Sequence, residues 1–349
     1  MASIAAVGVS LPPHVYSQEA ITQTLSKRLA PDDVTRNVIE RIHQSTGVST
    51  RHLALPLEDY LGIESFTEAN RLYPQLALPL IVEAATQALS RAGVEASDVD
   101  MVFFTTVTGL GAPSLDVGLQ KALGLRPDVK RIPSFGLGCV AGASGIARVA
   151  DFLSGNPDGV ALVVSVELCS LTIQWDDTAM ANIVGTGLFG DGAAVAVMTG
   201  DNHRVSGPRI LGTHSSLYPD SEDMIGWTIG STGFRLMLQA GVPAMIDGHF
   251  RDDVDSFLSR LGKNLDDVGV WIAHPGGPRI LESFSEALDL EPRQLSASWD
   301  VMAEVGNLSS AAVLHVLLRQ WDQDAKTLGV MCALGPGISS ELVALEWPQ

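Results

Sequence analysis

The sequence is poor in cysteine. Its three thiols, Cys139, Cys169 and Cys332, form an odd and widely spaced set in 349 residues. That excludes a disulfide framework and suits a reducing compartment, and with no CxxC pair nothing suggests zinc or any other metal site. Basic residues are scarce too: 22 Lys and Arg stand against 40 Asp and Glu, for a formal charge of −18. A chain this acidic is excluded from sequence-wide binding of nucleic acid or anionic membrane, while a local basic funnel for a phosphorylated ligand stays open. No apolar run reaches the ~18 residues that suggest a membrane helix. The N-terminal stretch MASIAAVGVSLPPHVYSQEA has neither a basic n-region nor a full apolar h-region, so no signal peptide is read and a cytoplasmic location is expected. Walker A loops are absent. The stretch GTGLFGDG, from Gly185 to Gly192, is formally a GxGxxG, but AMANIV before it reads as helix and AAVAVM after it as strand. A dinucleotide fingerprint needs the reverse order, so that site is rejected.

What the chain does have is apolar content, 46% of residues, and length enough for about two domains or two fused halves. It also repeats. Leu89-Ser90-Arg91-Ala92-Gly93 is followed by a polar turn and the run Asp98–Phe104; Leu258-Ser259-Arg260-Leu261-Gly262 is followed by a polar turn and Asp267–Ile272. The second copy stands 169 residues after the first. In each, an amphipathic helix ends at a glycine, as a left-handed C-terminal cap favours, and a buried strand follows. A second pair of segments agrees. Gly138-Cys139 opens a small-residue helix leading to GVALVVSVE, and Gly306-Asn307 opens another leading to LGVMCALG, 168 residues on. Two copies of one α/β unit predict two similar halves packed face to face, as helix–sheet–helix–sheet–helix layers. The halves are expected at 1–200 and 201–349, with a seam at the polar link Thr199–His203.

The repeat has a chemical consequence, because it places Cys139 and Asn307 at equivalent helix starts. A thiol there feels the positive end of the helix dipole, which favours thiolate. The competing reading is a buried structural cysteine. His274 follows the strand Val268–Ala273, and Pro275-Gly276-Gly277-Pro278 forces an immediate turn. It is either a strand-end core histidine or a catalytic one. Asn307 is a good helix N-cap on its own account and gains a chemical role only if the Cys and His face it. His315, inside the apolar VLHVLL, is read as a packed histidine.

Together these segments resemble the type III polyketide synthases, the chalcone synthase-like family of the thiolase superfamily. GLGCVAGASGIAR is similar to the family's nucleophile segment, WIAHPGGPRIL to its histidine segment, GNLSSAAVL to its asparagine segment and LFGDGAA to one gatekeeper segment. The resemblance spans nearly the whole chain and implies a thiolase-like five-layer αβαβα sandwich, an α/β fold of two duplicated halves. It implies Cys139 as nucleophile for the starter acyl group, with His274 and Asn307 on the thioester carbonyl of malonyl-CoA. It also implies Phe189 and Phe234 as gatekeepers, and Cys169, Thr172 and Ser309 as cavity-lining residues. Ile225 falls near a position that is often Gly and would narrow one wall. Ala112 stands where plant members carry a Met that crosses the dimer, and Ala333-Leu334-Gly335-Pro336-Gly337 replaces the usual GFGPG. The run ELCSLT is similar to bacterial members that make alkylresorcinols and alkylpyrones from fatty acyl-CoAs. The implied partners are an acyl-CoA starter, malonyl-CoA and a second copy in a homodimer, with no metal, flavin or nicotinamide required. The rival readings are a single-round ketosynthase working with acyl carrier protein and a non-catalytic thiolase-fold partner subunit.

Overall fold

The computed structural model describes residues 2–203 and 207–348. Its strands are β1 (Ser3–Ser10), β2 (His14–Ser17), β3 (Thr50–Leu53), β4 (Met101–Thr105), β5 (Lys130–Ser134), β6 (Val160–Leu168), β7 (Asp191–Thr199), β8 (Arg209–Leu217), β9 (Ile225–Gly230), β10 (Gly233–Leu238), β11 (Val268–Ala273), β12 (Leu328–Gly335) and β13 (Ser339–Glu346). The helices are α1 (Gln18–Leu29), α2 (Asp33–Gln44), α3 (Phe66–Ala92), α4 (Asp116–Leu123), α5 (Ala141–Ser154), α6 (Met180–Leu188), α7 (Val242–Arg260), α8 (Pro278–Leu288), α9 (Ser296–Val305) and α10 (Ala312–Arg319).

The repeat read from the sequence is the plan of the fold. The strand order is β5-β4-β6-β7-β1 in one half and β11-β12-β13-β8 in the other. Thus β4 corresponds to β11, β6 to β12, β7 to β13 and β1 to β8. Helices α3 and α7 end at Gly93 and Gly262, both with positive φ, as the two copies of Leu-Ser-Arg-x-Gly imply. The halves meet edge to edge at one pair, Ser3 with Arg209, so the hydrogen-bonded ladder runs on as nine strands. β7 ends at Thr199 and β8 begins at Arg209, and we place the division between the halves in that link.

Helices α5 and α10 pack on each other and on strands of both halves, which makes them the middle layer. Their small residues allow it. A Cβ on Gly142 would lie 2.3 Å from Ser310 O and 2.8 Å from Val313 Cγ1, so only glycine fits where α5 crosses the start of α10. The core between the sheets is built of Val140, Ile146, Val163, Leu314, Met331 and their neighbours. Helix α3 covers the outer face of one sheet, and α7 with α8 that of the other. With both faces covered, β6, β7 and β12 are buried along their whole length, which is why they read as unbroken apolar runs. The order α6 then β7 across Gly185–Gly192 is helix before strand, the wrong way round for a dinucleotide site. No helix among the described residues is long and apolar enough to cross a membrane. Outside the repeat, the β2–β3 ribbon, α1, α2, α6 and the β9–β10 hairpin stand over one end of the middle layer.

Candidate active site

Cys139 lies in a short helical turn, Gly138–Val140, just before α5. Its Sγ donates to Ser309 Oγ at 3.6 Å. Burial pushes the thiol up to about 12; the contacts with Ser309 and Asn307 oppose that shift without cancelling it, and Glu167 adds to it. The helix start was expected to favour thiolate. The dipole contributes only ~0.3–1 kcal/mol at an ordinary terminus, whereas the effective cost of burying an ion is several kcal/mol. Cys139 is only partly buried, so the upward shift gives the direction in which its surroundings push the thiol, against the expectation from the helix start.

His274 follows β11 and donates its backbone N–H to Cys332 O at 2.8 Å, so the sheet edge fixes its direction. The side chain is 2% exposed, and neither ring nitrogen has a hydrogen-bond partner among the described residues. Burial alone pushes its pKa down to about 3. Among the described residues, no hydrogen bond joins His274 to Cys139. Each unpaired buried polar group costs about 1–3 kcal/mol, and such groups in a folded protein call for a specific explanation.

Asn307 follows α9 and joins both groups. Its Oδ1 accepts from Ser309 N at 2.8 Å, so it does cap the following turn. Its Nδ2 donates to Gly276 O at 3.3 Å, in the loop after His274, and the same amide contacts the Cys139 thiol. The turn it caps is strained: Ser309 has φ +49. Thus Cys139 contacts Ser309, Ser309 is held by Asn307, and Asn307 reaches the His274 loop. A Cβ on Gly138, itself at φ +55, would lie 2.5 Å from Pro336 Cδ, so the Gly335-Pro336-Gly337 loop closes the site from below.

Among the expected cavity residues, Cys169, Thr172 and Phe189 share a small chamber of about 30 Å³, room for about one water, with Trp227 and Leu236. Phe234 stands in an adjoining cavity of about 140 Å³ that shares Thr172 and Ile173 with the first. Ser309 borders Cys139 rather than either chamber. Ile225 narrows neither. It opens β9 opposite Leu238, where the hairpin joins the second half, and packs against that half's outer core. A larger open cavity, about 640 Å³, is lined by Met180, Leu188, Gly276, Gly277 and Arg279. His315 is a core histidine, its Nε2 3.2 Å from Ala193 O.

Two residues escaped the sequence reading. Trp227 lies between Phe189 and Phe234, with ring centroids 6.4 Å from the first and 6.1 Å from the second. Glu167 is fully buried in β6. Its Oε2 accepts from Val107 N at 3.0 Å, Thr108 Oγ1 at 2.8 Å and Thr106 Oγ1 at 3.3 Å, and Oε1 accepts from Ser310 Oγ. Burial still pushes its carboxyl up to about 6. The signal was there: one glutamate interrupts the apolar run GVALVVSVEL.

Comparison with known proteins places this geometry. Residues 1–202 match the N-terminal domain of chalcone and stilbene synthases, and residues 210–347 match the C-terminal domain. The 1,3,6,8-tetrahydroxynaphthalene synthase of Streptomyces peucetius subsp. caesius is 46% identical, over 99% of this chain and 93% of that protein. The alpha-pyrone synthesis polyketide synthase-like Pks18 of Mycobacterium tuberculosis is 29% identical, over 98% and 90%. The crystal structure of the 1,3,6,8-tetrahydroxynaphthalene synthase of Streptomyces coelicolor superposes with a TM-score of 0.94 at 31% identity, covering 99% of both chains. With its thiolase-like halves, the chain belongs to the chalcone and stilbene synthase family and is a type III polyketide synthase, an acyltransferase that condenses malonyl-CoA units.

Proposed function

We propose that Cys139, His274 and Asn307 carry this condensation, and that the product is an aromatic polyol built from short acyl units. The observation that carries the reading is His274, a buried imidazole whose ring nitrogens have no hydrogen-bond partner among the described residues and whose pKa burial pushes down. A neutral imidazole has one donor and one acceptor, and the scheme uses both. In loading, the Cys139 sulfur attacks the acyl-CoA carbonyl. Its proton passes to the open His274 nitrogen and on to the departing CoA sulfur, leaving a Cys139 thioester. In extension, malonyl-CoA loses CO2 and its thioester becomes an enolate. The His274 N–H and the Asn307 amide N–H facing Cys139 donate to the enolate oxygen. The enolate carbon attacks the Cys139 thioester, the Cys139 sulfur leaves, and a β-ketoacyl-CoA two carbons longer reloads the site. No step calls on a metal, flavin or nicotinamide. The open cavity with Arg279 at its wall suits the phosphorylated arm of CoA.

The chamber of about 30 Å³ beside Cys169 and Thr172 holds neither a fatty tail nor a ten-carbon chain as it stands, so the short-unit reading rests on the 46% identical relative. The name of the 46% identical relative describes a ten-carbon naphthalene oxygenated at alternate positions, with no alkyl tail. The adjoining 140 Å³ cavity favours a second reading, in which an acyl tail passes Thr172 and Ile173 and an alkylpyrone or alkylresorcinol results. A homodimer is also proposed. Strand β5 has an unpaired edge, and Leu110, Ile132 and Phe135 are exposed around it.

The test is product analysis by mass spectrometry. Protein is incubated with malonyl-CoA alone and with acyl-CoA starters from acetyl to palmitoyl, with Cys139→Ala as blank. An aromatic polyol from malonyl-CoA alone is expected. Alkylated pyrones or resorcinols only from long starters would establish the second reading, and the absence of any Cys139-dependent product would overturn both.

A further inference from the structure

A helix leaves its last carbonyls without partners inside the helix. At the end of α6 three such carbonyls find partners from distant segments. Gly187 O accepts from Gln18 Nε2 at 2.6 Å, Leu188 O from Asn307 N at 2.9 Å, and Phe189 O from Arg51 Nη1 at 2.8 Å. Arg51 also donates Nε and Nη2 to Gln18 Oε1, at 3.1 and 2.9 Å, so the two side chains act as one unit. Both are buried, at 3% and 8% exposure. Asn307 is caught in the same place from the other side, because Gly190 N donates to Asn307 O at 3.0 Å. Its backbone is thus tied to the residues before and after Phe189, whose carbonyl the guanidinium grips. Gly306, at φ +76, leaves no slack: a Cβ there would lie 2.8 Å from Leu188 O and 3.3 Å from the Arg51 side chain.

The chemistry suits the place. A guanidinium at the C-terminal end of α6 meets the negative end of the helix dipole and the Phe189 carbonyl, while Gln18, which it grips, takes the Gly187 carbonyl. Its hydrogen bonds go to Gln18 and Phe189, and Asp191 stabilises it from further away. A buried cation held mainly by neutral oxygens is costly, and an apolar side chain would fill the space at lower cost. Stability does not explain it, whereas fixing three carbonyls and one catalytic backbone does.

We propose that Arg51, acting through Gln18 and the Phe189 carbonyl, is a positioning residue for Asn307, and so for the enolate-forming half of the reaction. This rests on the role given to Asn307 above. It acts chiefly on decarboxylation, because the Asn307 amide is what meets the enolate oxygen, and it reaches acyl transfer only through the Ser309 turn that Asn307 Oδ1 caps and Cys139 Sγ contacts.

The full chain is compared with Arg51→Met, Arg51→Lys and Asn307→Ala in two assays. One is single-turnover acylation of Cys139 by acyl-CoA, read as intact mass. The other is CO2 release from malonyl-CoA, with kcat and KM separated. For Arg51→Met, kcat for CO2 release is expected to fall ~10–100-fold, the usual loss for a hydrogen bond to a charged group. KM and the acylation rate should stay within about threefold. Arg51→Lys, which keeps a donor for Phe189 O, should recover part of the loss. An equal fall in both half-reactions, or CO2 release within about twofold of the parent, would overturn the proposal. If Arg51→Met does not fold, Gln18→Met keeps the volume, removes the donor to Gly187 and is judged by the same outcomes. If Asn307→Ala releases CO2 at the parent rate, the role of Asn307 itself fails. If it loses CO2 release while the Arg51 variants do not, only the clamp fails.

Discussion

Acidification should destabilise the parent protein more than its His274→Gln variant. The ring titrates at an ordinary 6.5 in the unfolded chain, and burial lowers that to about 3 in the folded one. Between those values the unfolded state binds more protons, so folding stability is present at neutral pH and is lost as pH falls through the window. At pH 5 the loss relative to pH 7.5 is ~2 kcal/mol for this one group. Glutamine does not titrate. Whatever its amide costs in the pocket is the same at both pH values and cancels in the difference. His43 and His315 also have lowered values from burial, but they are common to both proteins. The assay is urea unfolding followed by tryptophan fluorescence, extrapolated to water at pH 7.5 and 5.0. The parent should lose ~2 kcal/mol more than the variant. Equal losses would refute a neutral, desolvated imidazole. A larger loss in the variant would mean that His274 is held as an imidazolium beside a Cys139 thiolate. In that case its folded pKa would be raised and its contribution retained in acid.

Two further outcomes follow from the same geometry. With its thiol pushed up to about 12, Cys139 should react with iodoacetamide at pH 8 on the order of a thousandfold more slowly than free cysteine, judged by peptide mass mapping; a rate like that of free cysteine would show a thiolate at rest. Trp227→Ala should merge the space between Phe189 and Phe234, extending the accepted starters toward longer acyl chains, and unchanged starter preference would remove Trp227 from the chamber wall.

The duplicated architecture was legible because burial on both faces of β6, β7 and β12 writes itself as unbroken apolar strands. The glycine caps at Gly93 and Gly262 also mark the same helix end twice. The places of Cys139, His274 and Asn307 were legible for the same reason, since each sits where a repeated element ends. Their protonation was not. The helix-start rule is local and favours thiolate; burial is a property of the packed chain and pushes the thiol the other way. The place of Ile225 was not legible, because a position count along a hairpin does not say that its side chain packs on the second half's outer core. Trp227 and Arg51 carry no motif. Arg51 matters only because chain folding brings β3 against the end of α6, and no spacing in the sequence encodes that approach.

A neutral resting pair also has a chemical logic within the proposed scheme. Cys139 must be a nucleophile in loading and a leaving group in every extension, so its sulfur passes between thiol, thioester and thiolate in each cycle. A site that held a permanent thiolate would favour only one of these states and would expose a reactive sulfur between turnovers. Here the sulfur is ionised only when an acyl carbonyl arrives to share its electrons and the imidazole lone pair is there to take the proton. The same imidazole then offers its N–H to the enolate, without having to shed a proton first. The energy that keeps His274 unpaired, Ser309 at φ +49 and Arg51 buried comes from the layers around α5 and α10. Local rules are broken where the chemistry is and kept elsewhere. The Arg51–Gln18 unit belongs to the first group, since it holds a charge in the core and thereby fixes the residue whose amide must meet the enolate oxygen.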